Sequence, residues 1–216
     1  MKYKAVIFDL DGTLLNTIQD LADSVNIVLR RFGFPEHDVE SYKYFVGDGI
    51  EELACRALPE NHRDEAALSR SIAAIREEYS KRWANNTCPY EGIPELLDAL
   101  TARNIKTAIL SNKPDESTKA TVSKLLPKWH FQFIVGASSA VPKKPNPKAA
   151  LEIARSLDIS PDELIYVGDT ATDMATAVAA GMYPVGALWG FRTAEELTQS
   201  GAKKLIKEPG DLLELL

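Results

Sequence analysis

Four clusters of carboxylates, hydroxyls and lysines could together handle an anionic substrate. The first is Asp9-Leu10-Asp11-Gly12-Thr13. Its two carboxylates, two positions apart, point the same way if the backbone is extended. Gly12 permits a tight turn and a close approach of backbone to a ligand; an Asp-Gly turn that merely ends a strand is the alternative. The second, Ser111-Asn112-Lys113, offers a hydroxyl and backbone N–H groups to a phosphate oxygen, or simply caps a helix with Lys113 in solvent. In the third, Lys143-Lys144-Pro145-Asn146-Pro147, the prolines hold an extended path. Lys144 fixed there would bring positive charge to an anionic site; a solvated lysine pair is the other reading. The fourth is Gly168-Asp169-Thr170-Ala171-Thr172-Asp173. Carboxylates four apart share a helix face, and they suit either a hard cation or a helix N-terminus.

Brought together, Asp9, Asp11, Asp169 and Asp173 carry about four negative charges and raise one another's pKa. A divalent cation and Lys144 would offset about three of these. Mg²⁺ is the expected cofactor, because its usual ligands are one or two carboxylates, water and a phosphate oxygen.

Such clusters act together only if distant elements deliver them to one edge. Short apolar runs at Lys4–Phe8, Lys106–Leu110, Phe131–Val135, Leu164–Val167 and Tyr183–Leu188 read as buried strands of a parallel sheet. The four clusters fall at or shortly after strand ends, where ligands bind in open α/β sheets. Helical patterns lie between, at Ile93–Arg103, Lys148–Leu157 and Asp173–Ala180. Asn146 and Pro147 are the expected start of the second of these, and Ser160-Pro161-Asp162-Glu163 reads as a capping box. The expected fold class is α/β, a doubly wound parallel-sheet (Rossmann-like) core. From about Thr17 to Trp83 the pattern changes to three helices, Thr17–Phe32, Gly49–Leu58 and Asp64–Trp83, with no convincing strand. A small all-helical insert is therefore expected, giving a core of residues 1–15 and 87–216 and an inserted unit of residues 16–86.

Composition bounds the function. The 216 residues are 45% hydrophobic and 26% charged, with 25 Lys+Arg against 31 Asp+Glu and a net charge of -6. This is a globular balance, and its acidity argues against nucleic acid as a main partner. Cys55 and Cys88 lack metal-binding spacing. No run is long enough for a membrane span or a signal peptide, so a cytoplasmic protein with no membrane partner is expected.

The ordered motifs Asp9-x-Asp11-Gly12-Thr13-Leu14-x-x-Thr17, Ser111 after an apolar strand, Lys144-Pro145-x-Pro147 and Gly168-Asp169-x-x-x-Asp173 resemble those of the haloacid dehalogenase-like hydrolases. The resemblance spans nearly the whole chain, the insert matching that family's small helical cap. Val46-Gly47-Asp48-Gly49, Pro89-Tyr90-Glu91-Gly92 and Ser111-Asn112-Lys113-Pro114 are similar to the phosphoglycolate phosphatase branch. The resemblance implies a Mg²⁺-dependent phosphatase of a small phosphorylated metabolite, with 2-phosphoglycolate the first choice. It assigns Asp9 as nucleophile, forming a phospho-aspartyl intermediate, and Asp11 as acid and base. Ser111 and Lys144 would bind the phosphoryl oxygens, helped by Gly12 and the Asn112 backbone. Asp9, the Asp11 carbonyl and Asp169 would hold the metal, with Thr13 and Asp173 behind them. In the cap, backbone N–H groups of Gly47, Asp48 and Gly49 would face the substrate, or the turn merely starts a helix. A pyrophosphatase, a β-phosphoglucomutase and a non-catalytic phosphate-binding regulator are the alternatives. Either a monomer or a homodimer fits.

Overall fold

The computed structural model describes residues 2–216. In chain order the elements are β1 (Ala5–Phe8), β2 (Leu15–Asn16), α1 (Ile18–Arg31), α2 (Val39–Phe45), α3 (Ile50–Ala57), α4 (Glu65–Arg82), β3 (Cys88–Pro89), α5 (Ile93–Ala102), β4 (Lys106–Pro114), α6 (Asp115–Leu125), β5 (Phe133–Ala137), α7 (Lys148–Leu157), β6 (Leu164–Gly168), α8 (Ala171–Ala179), β7 (Tyr183–Ala187), α9 (Ala194–Gln199) and β8 (Lys204–Ile206). They form two compact units, Met1–Leu15 with Pro89–Leu216, and Asn16–Cys88.

In the first unit six strands run in the order β5-β4-β1-β6-β7-β8, with parallel pairing throughout. All four residues of β1 are buried, because both faces of the sheet are covered. Val6 and Phe8 enter one core with Leu96, Leu97 and Leu100 of α5. Ala5 and Ile7 point the other way, into a second core with Ala150 and Ile153 of α7 and Ala177 of α8. This two-sided burial is why the strands read as unbroken apolar runs. The Rossmann-like α/β class expected from sequence is the one observed.

Several boundaries differ. β4 runs on to Pro114, past a register irregularity between Leu110 and Pro114, so Ser111, Asn112 and Lys113 belong to strand rather than to a helix cap. Helix α6 was not expected: its buried residues are Thr118, Thr121 and Val122, too polar a face to read as a hydrophobic stripe. Ser160 makes no capping bond to the backbone; its hydroxyl bonds Asp162 instead, and the turn at Pro161–Glu163 is 3-10. Helix α7 begins at Lys148, whose N–H donates to Asn146 Oδ1 at 2.9 Å.

The second unit is helical. Leu21, Ala22, Val25, Val28 and Leu29 of α1 are buried at helical spacing. A fourth helix, α2, adds to the three expected; among its residues only Tyr42 is buried, which leaves little periodicity to read. The Asp20 carboxylate, 1% exposed, accepts from the Asn86 N–H at 3.0 Å, Asn86 Nδ2 at 2.8 Å, the Thr87 N–H at 2.9 Å and Thr87 Oγ1 at 2.7 Å. Burial works to raise its pKa, but the donors from Thr87 and Asn86 outweigh burial and hold it low.

Glu78 of α4 is also buried and gathers Arg82 at 2.8 Å, Arg31 at 2.5 Å and Lys81 at 3.1 Å. Hydrogen bonds from Arg82, then Arg31 and Lys81, push its pKa down to about 2 from 4.5. A depressed carboxyl contributes stability that is complete above its unfolded pKa and lost as pH falls through the folded one. Melting temperature is therefore expected to fall between about pH 4.5 and 2 in the native protein. Glu78→Gln melts lower at pH 7 and shows a flatter acid arm. Parallel acid arms in the two proteins would refute this account.

Candidate active site

β1 lies between β4 and β6, so the chain leaves the middle of the sheet in opposite directions on its two sides, the arrangement that opens a crevice at the carboxyl edge. Asp9 follows β1, its N–H donating to the Val167 carbonyl at 2.9 Å. Asp169 follows β6, and Asp173 lies in the first turn of α8. One carboxylate oxygen from each of Asp9, Asp169 and Asp173 lies within 4.8 Å of the others, and all three side chains are buried.

Lys144, from the segment before α7, reaches this group. Its ammonium lies 2.8 Å from Asp9 Oδ1 and 2.6 Å from Asp173 Oδ1. The contact with Asp9 is a buried ion pair whose geometry is less well aligned for a hydrogen bond than the contact with Asp173. Asn112 fixes the lysine from the backbone: its Oδ1 accepts from the Lys144 N–H at 2.8 Å and its Nδ2 donates to the Lys144 carbonyl at 3.2 Å. The sequence assigned Asn112 a backbone part; here its side chain clamps the neighbouring cluster.

Asp169 is held on both oxygens. Thr13 Oγ1 donates to Oδ1 at 2.8 Å, and the Phe191 N–H donates to Oδ2 at 2.9 Å. Backbone packs closely around it. Gly12 has a φ of +92°, and a Cβ there would overlap the Asp169 carboxylate and come 2.7 Å from Phe191. A Cβ on Gly190 would overlap Asp169 and lie 2.5 Å from the Gly12 carbonyl. Asp173 Oδ2 caps its own helix, accepting from the Thr170 N–H at 3.1 Å and Thr170 Oγ1 at 2.7 Å. Asp173 thus caps its helix with one oxygen and pairs with Lys144 through the other.

The electrostatics follow from burial. Burial first, then the charge of Asp173, raises the Asp9 carboxyl well above its ordinary range, against the pull of Lys144. Asp169 is pushed up to about 7 by burial and Asp173, opposed by the Phe191 N–H and the Thr13 hydroxyl. Burial disfavours the Lys144 ammonium, yet Asp173 and Asp9 outweigh it and hold the proton more tightly than usual. Burial also raises the phenol of Tyr166, whose oxygen sits 3.5 Å from Asp173 Oδ1. Three buried carboxylates facing one ammonium are under-compensated. This surplus of negative charge, with three carboxylate oxygens within 4.8 Å of one another, fits a hard divalent cation with oxygen ligands.

Asp11 stands beside this group and pairs with Lys113, whose ammonium is 3.2 and 3.3 Å from the two Asp11 oxygens. The side chains of Lys113 and Asp11 are 7% and 15% exposed, so of the two readings of this cluster the one with Lys113 in solvent does not hold. Ser111 Oγ accepts from the Lys113 N–H at 3.2 Å. Trp189 Nε1 donates to the Thr13 carbonyl at 2.9 Å. Lys113 stands in the second cluster, but its pairing with Asp11 is not visible in the sequence, and nothing there marks Tyr166; Trp189 and Gly190 are marked only by following the last apolar run.

Gly47, Asp48 and Gly49 lie in the helical unit, between α2 and α3, with Gly47 and Gly49 at φ of +127° and +96°. Arg56 Nη2 pairs with Asp48 Oδ2 at 2.5 Å, and Arg56 Nη1 donates to the Phe45 carbonyl at 3.2 Å. Arg56 is therefore a brace for this turn. Among the described residues no helix is long and apolar enough to cross a membrane.

Residues 6–187 match the family model described as haloacid dehalogenase-like hydrolase. The chain is 34% identical to a phosphoglycolate phosphatase of Chromobacterium violaceum, over 99% of this chain and 96% of that one. It is 30% identical to a phosphoglycolate phosphatase of Aquifex aeolicus, with the same two coverages. A crystal structure from Lactobacillus delbrueckii subsp. bulgaricus, assigned only provisionally as a phosphoglycolate phosphatase, superposes with a TM-score of 0.93 at 30% identity, covering 100% of this chain and 98% of that one. With its parallel sheet, its carboxylate cluster at the sheet edge and this span of similarity, the chain belongs to the haloacid dehalogenase-like hydrolase family.

Proposed function

We propose that the protein is a Mg²⁺-dependent phosphatase of 2-phosphoglycolate. The observation that carries this reading is the buried group of three carboxylates, Asp9, Asp169 and Asp173, gathered around the single ammonium of Lys144. The full-length similarity to proteins named phosphoglycolate phosphatase supplies the substrate.

In this mechanism an Asp9 oxygen attacks phosphorus in line, and the bond from phosphorus to the ester oxygen breaks. The protonated Asp11 gives its proton to the departing alkoxide. Water then attacks the phosphorus of the aspartyl phosphate, Asp11 takes the water proton, and Asp9 is regenerated as inorganic phosphate leaves. Splitting the displacement in two lowers each barrier, and the acid–base help of Asp11 contributes roughly 10²–10⁴-fold. Lys144 binds a phosphoryl oxygen and holds Asp9, while Asp173 holds Lys144. Ser111, Gly12 and Asn112 shape the phosphate site. Asp9, the Asp11 carbonyl and Asp169 would hold the ion, with Thr13 fixing Asp169. When bound, Mg²⁺ offsets charge on the transferring group. The helical unit is read as the substrate-selecting cap, with Gly47-Asp48-Gly49 as its candidate recognition turn. A monomer or homodimer working in the cytoplasm, with no nucleic-acid partner, completes the reading.

The test is phosphate release from 2-phosphoglycolate, hexose phosphates and pyrophosphate, in Mg²⁺ or EDTA, with melting temperature read in parallel. Release is expected to be fastest from 2-phosphoglycolate and lost in EDTA. Mg²⁺ at 100 times its Kd stabilises the fold by about 2.7 kcal/mol. That increment shrinks below pH 7, where protons compete for Asp169. Release led by pyrophosphate or by a hexose phosphate, or release untouched by EDTA, would sink the proposal.

A further inference from the structure

The pairing of Lys113 with Asp11 has a use beyond charge balance. Lys113 is built into place. Gly136 packs so closely on its backbone that an added Cβ would lie 2.7 Å from the Lys113 carbonyl and 2.5 Å from Asp115 Cα. Thr118 Oγ1 donates to the Lys113 and Pro114 carbonyls at 3.2 and 3.0 Å, and Gly136 N–H donates to Asp115 Oδ1 at 2.9 Å.

The ammonium sits at hydrogen-bond distance from both Asp11 oxygens. In the mechanism above, an Asp11 oxygen must touch the ester oxygen of the leaving group. Any group attached one carbon beyond that ester oxygen therefore falls within reach of Lys113. In 2-phosphoglycolate that group is a carboxylate. A substrate that brings a further anion on its leaving group is met at that end by a cation, the Lys113 ammonium beside Asp11.

We propose that Lys113 is a specificity residue that recognises an anionic group one carbon from the ester oxygen, exchanging its contact with Asp11 for that group when substrate binds. This rests on the phosphatase reading, and it places the recognition of the leaving group partly in the sheet unit.

The test compares 2-phosphoglycolate with ethyl phosphate, which keeps the two-carbon leaving group and lacks the carboxylate. Wild-type protein is expected to prefer 2-phosphoglycolate. Lys113→Met and Lys113→Gln are expected to cut that preference in kcat/KM by about ten- to a hundredfold, the worth of one hydrogen bond to a charged group. Equal losses on both substrates would mean that Lys113 only positions Asp11, and would overturn the proposal, as would an unchanged preference. A wild-type protein that turns over both substrates equally well would instead remove the 2-phosphoglycolate reading itself. If neither neutral variant folds, judged by melting temperature, Lys113→Arg decides: it retains the preference if the charge is what matters, and loss of the preference overturns the assignment.

Discussion

Asp9→Asn is expected to lower phosphate release from 2-phosphoglycolate by roughly 10³-fold or more while leaving a folded protein. The amide has the shape of the carboxylate but no anionic oxygen to attack phosphorus. Its effect on stability runs the other way. The carboxyl of Asp9 is raised by burial and by Asp173, so its ionised form is a cost that the native state bears at neutral pH. A raised carboxyl makes the native state bind more protons than the unfolded one, and stability then falls as pH rises through that window. Removing the charge relieves this cost, so metal-free Asp9→Asn should melt no lower than wild type at pH 8. Phosphate assays and melting curves on the same preparations check both parts. Retained turnover, or inactivity that comes with unfolding, would defeat the assignment of Asp9 as nucleophile.

Lys144→Met should damage both activity and stability. It removes the one ammonium that touches Asp9 and Asp173, and leaves buried carboxylates without a partner. Breaking a buried ion pair in this way costs about 3–5 kcal/mol. Loss of a group that binds a phosphoryl oxygen costs roughly 10²–10³ in kcat. The sign of the pH dependence is fixed by Asp9. Lys144 is the group that pulls the Asp9 carboxyl down, so without it that carboxyl rises further and the deficit is larger at pH 8 than at pH 5. Lys144→Arg is not expected to rescue: a planar guanidinium does not replace a compact ammonium, and Asn112 holds the backbone at one place. Urea titrations at pH 5 and pH 8 measure the deficit, and one that does not grow with pH would contradict the account.

How much could be read beforehand depends on where each signal lies. Five of the six strands of the main sheet were legible because burial on both faces writes itself as apolar runs such as Ala5–Phe8, whereas β8, three residues long, left no run to read. Most helices were legible to within a residue or two, since stripes such as that of α1 repeat over several turns. Helix α6 buries threonines, and α2 lasts seven residues, so neither leaves a readable stripe. In the site, Asp9, Asp169 and Asp173 stand near strand ends, and their proximity follows from strand order. The contact of Lys113 with Asp11 spans 102 positions and depends on β4 continuing four residues past its apolar run. The part played by Asn112 was hidden for the same reason: its partner is 32 residues away.

The four donors on Asp20 carry a consequence for how this architecture can be rearranged. One carboxylate near the start of the helical unit grips Asn86 and Thr87 near its finish, so entry and exit points stay a fixed, short span apart whatever lies between them. A segment closed on itself in this way behaves as a cassette. Its interior can be lengthened, shortened or exchanged with little strain passed to the flanking chain. On the proposed reading of this unit as the substrate-selecting cap, selectivity could then diversify by swapping cassettes, while the sheet edge and its carboxylates go unaltered.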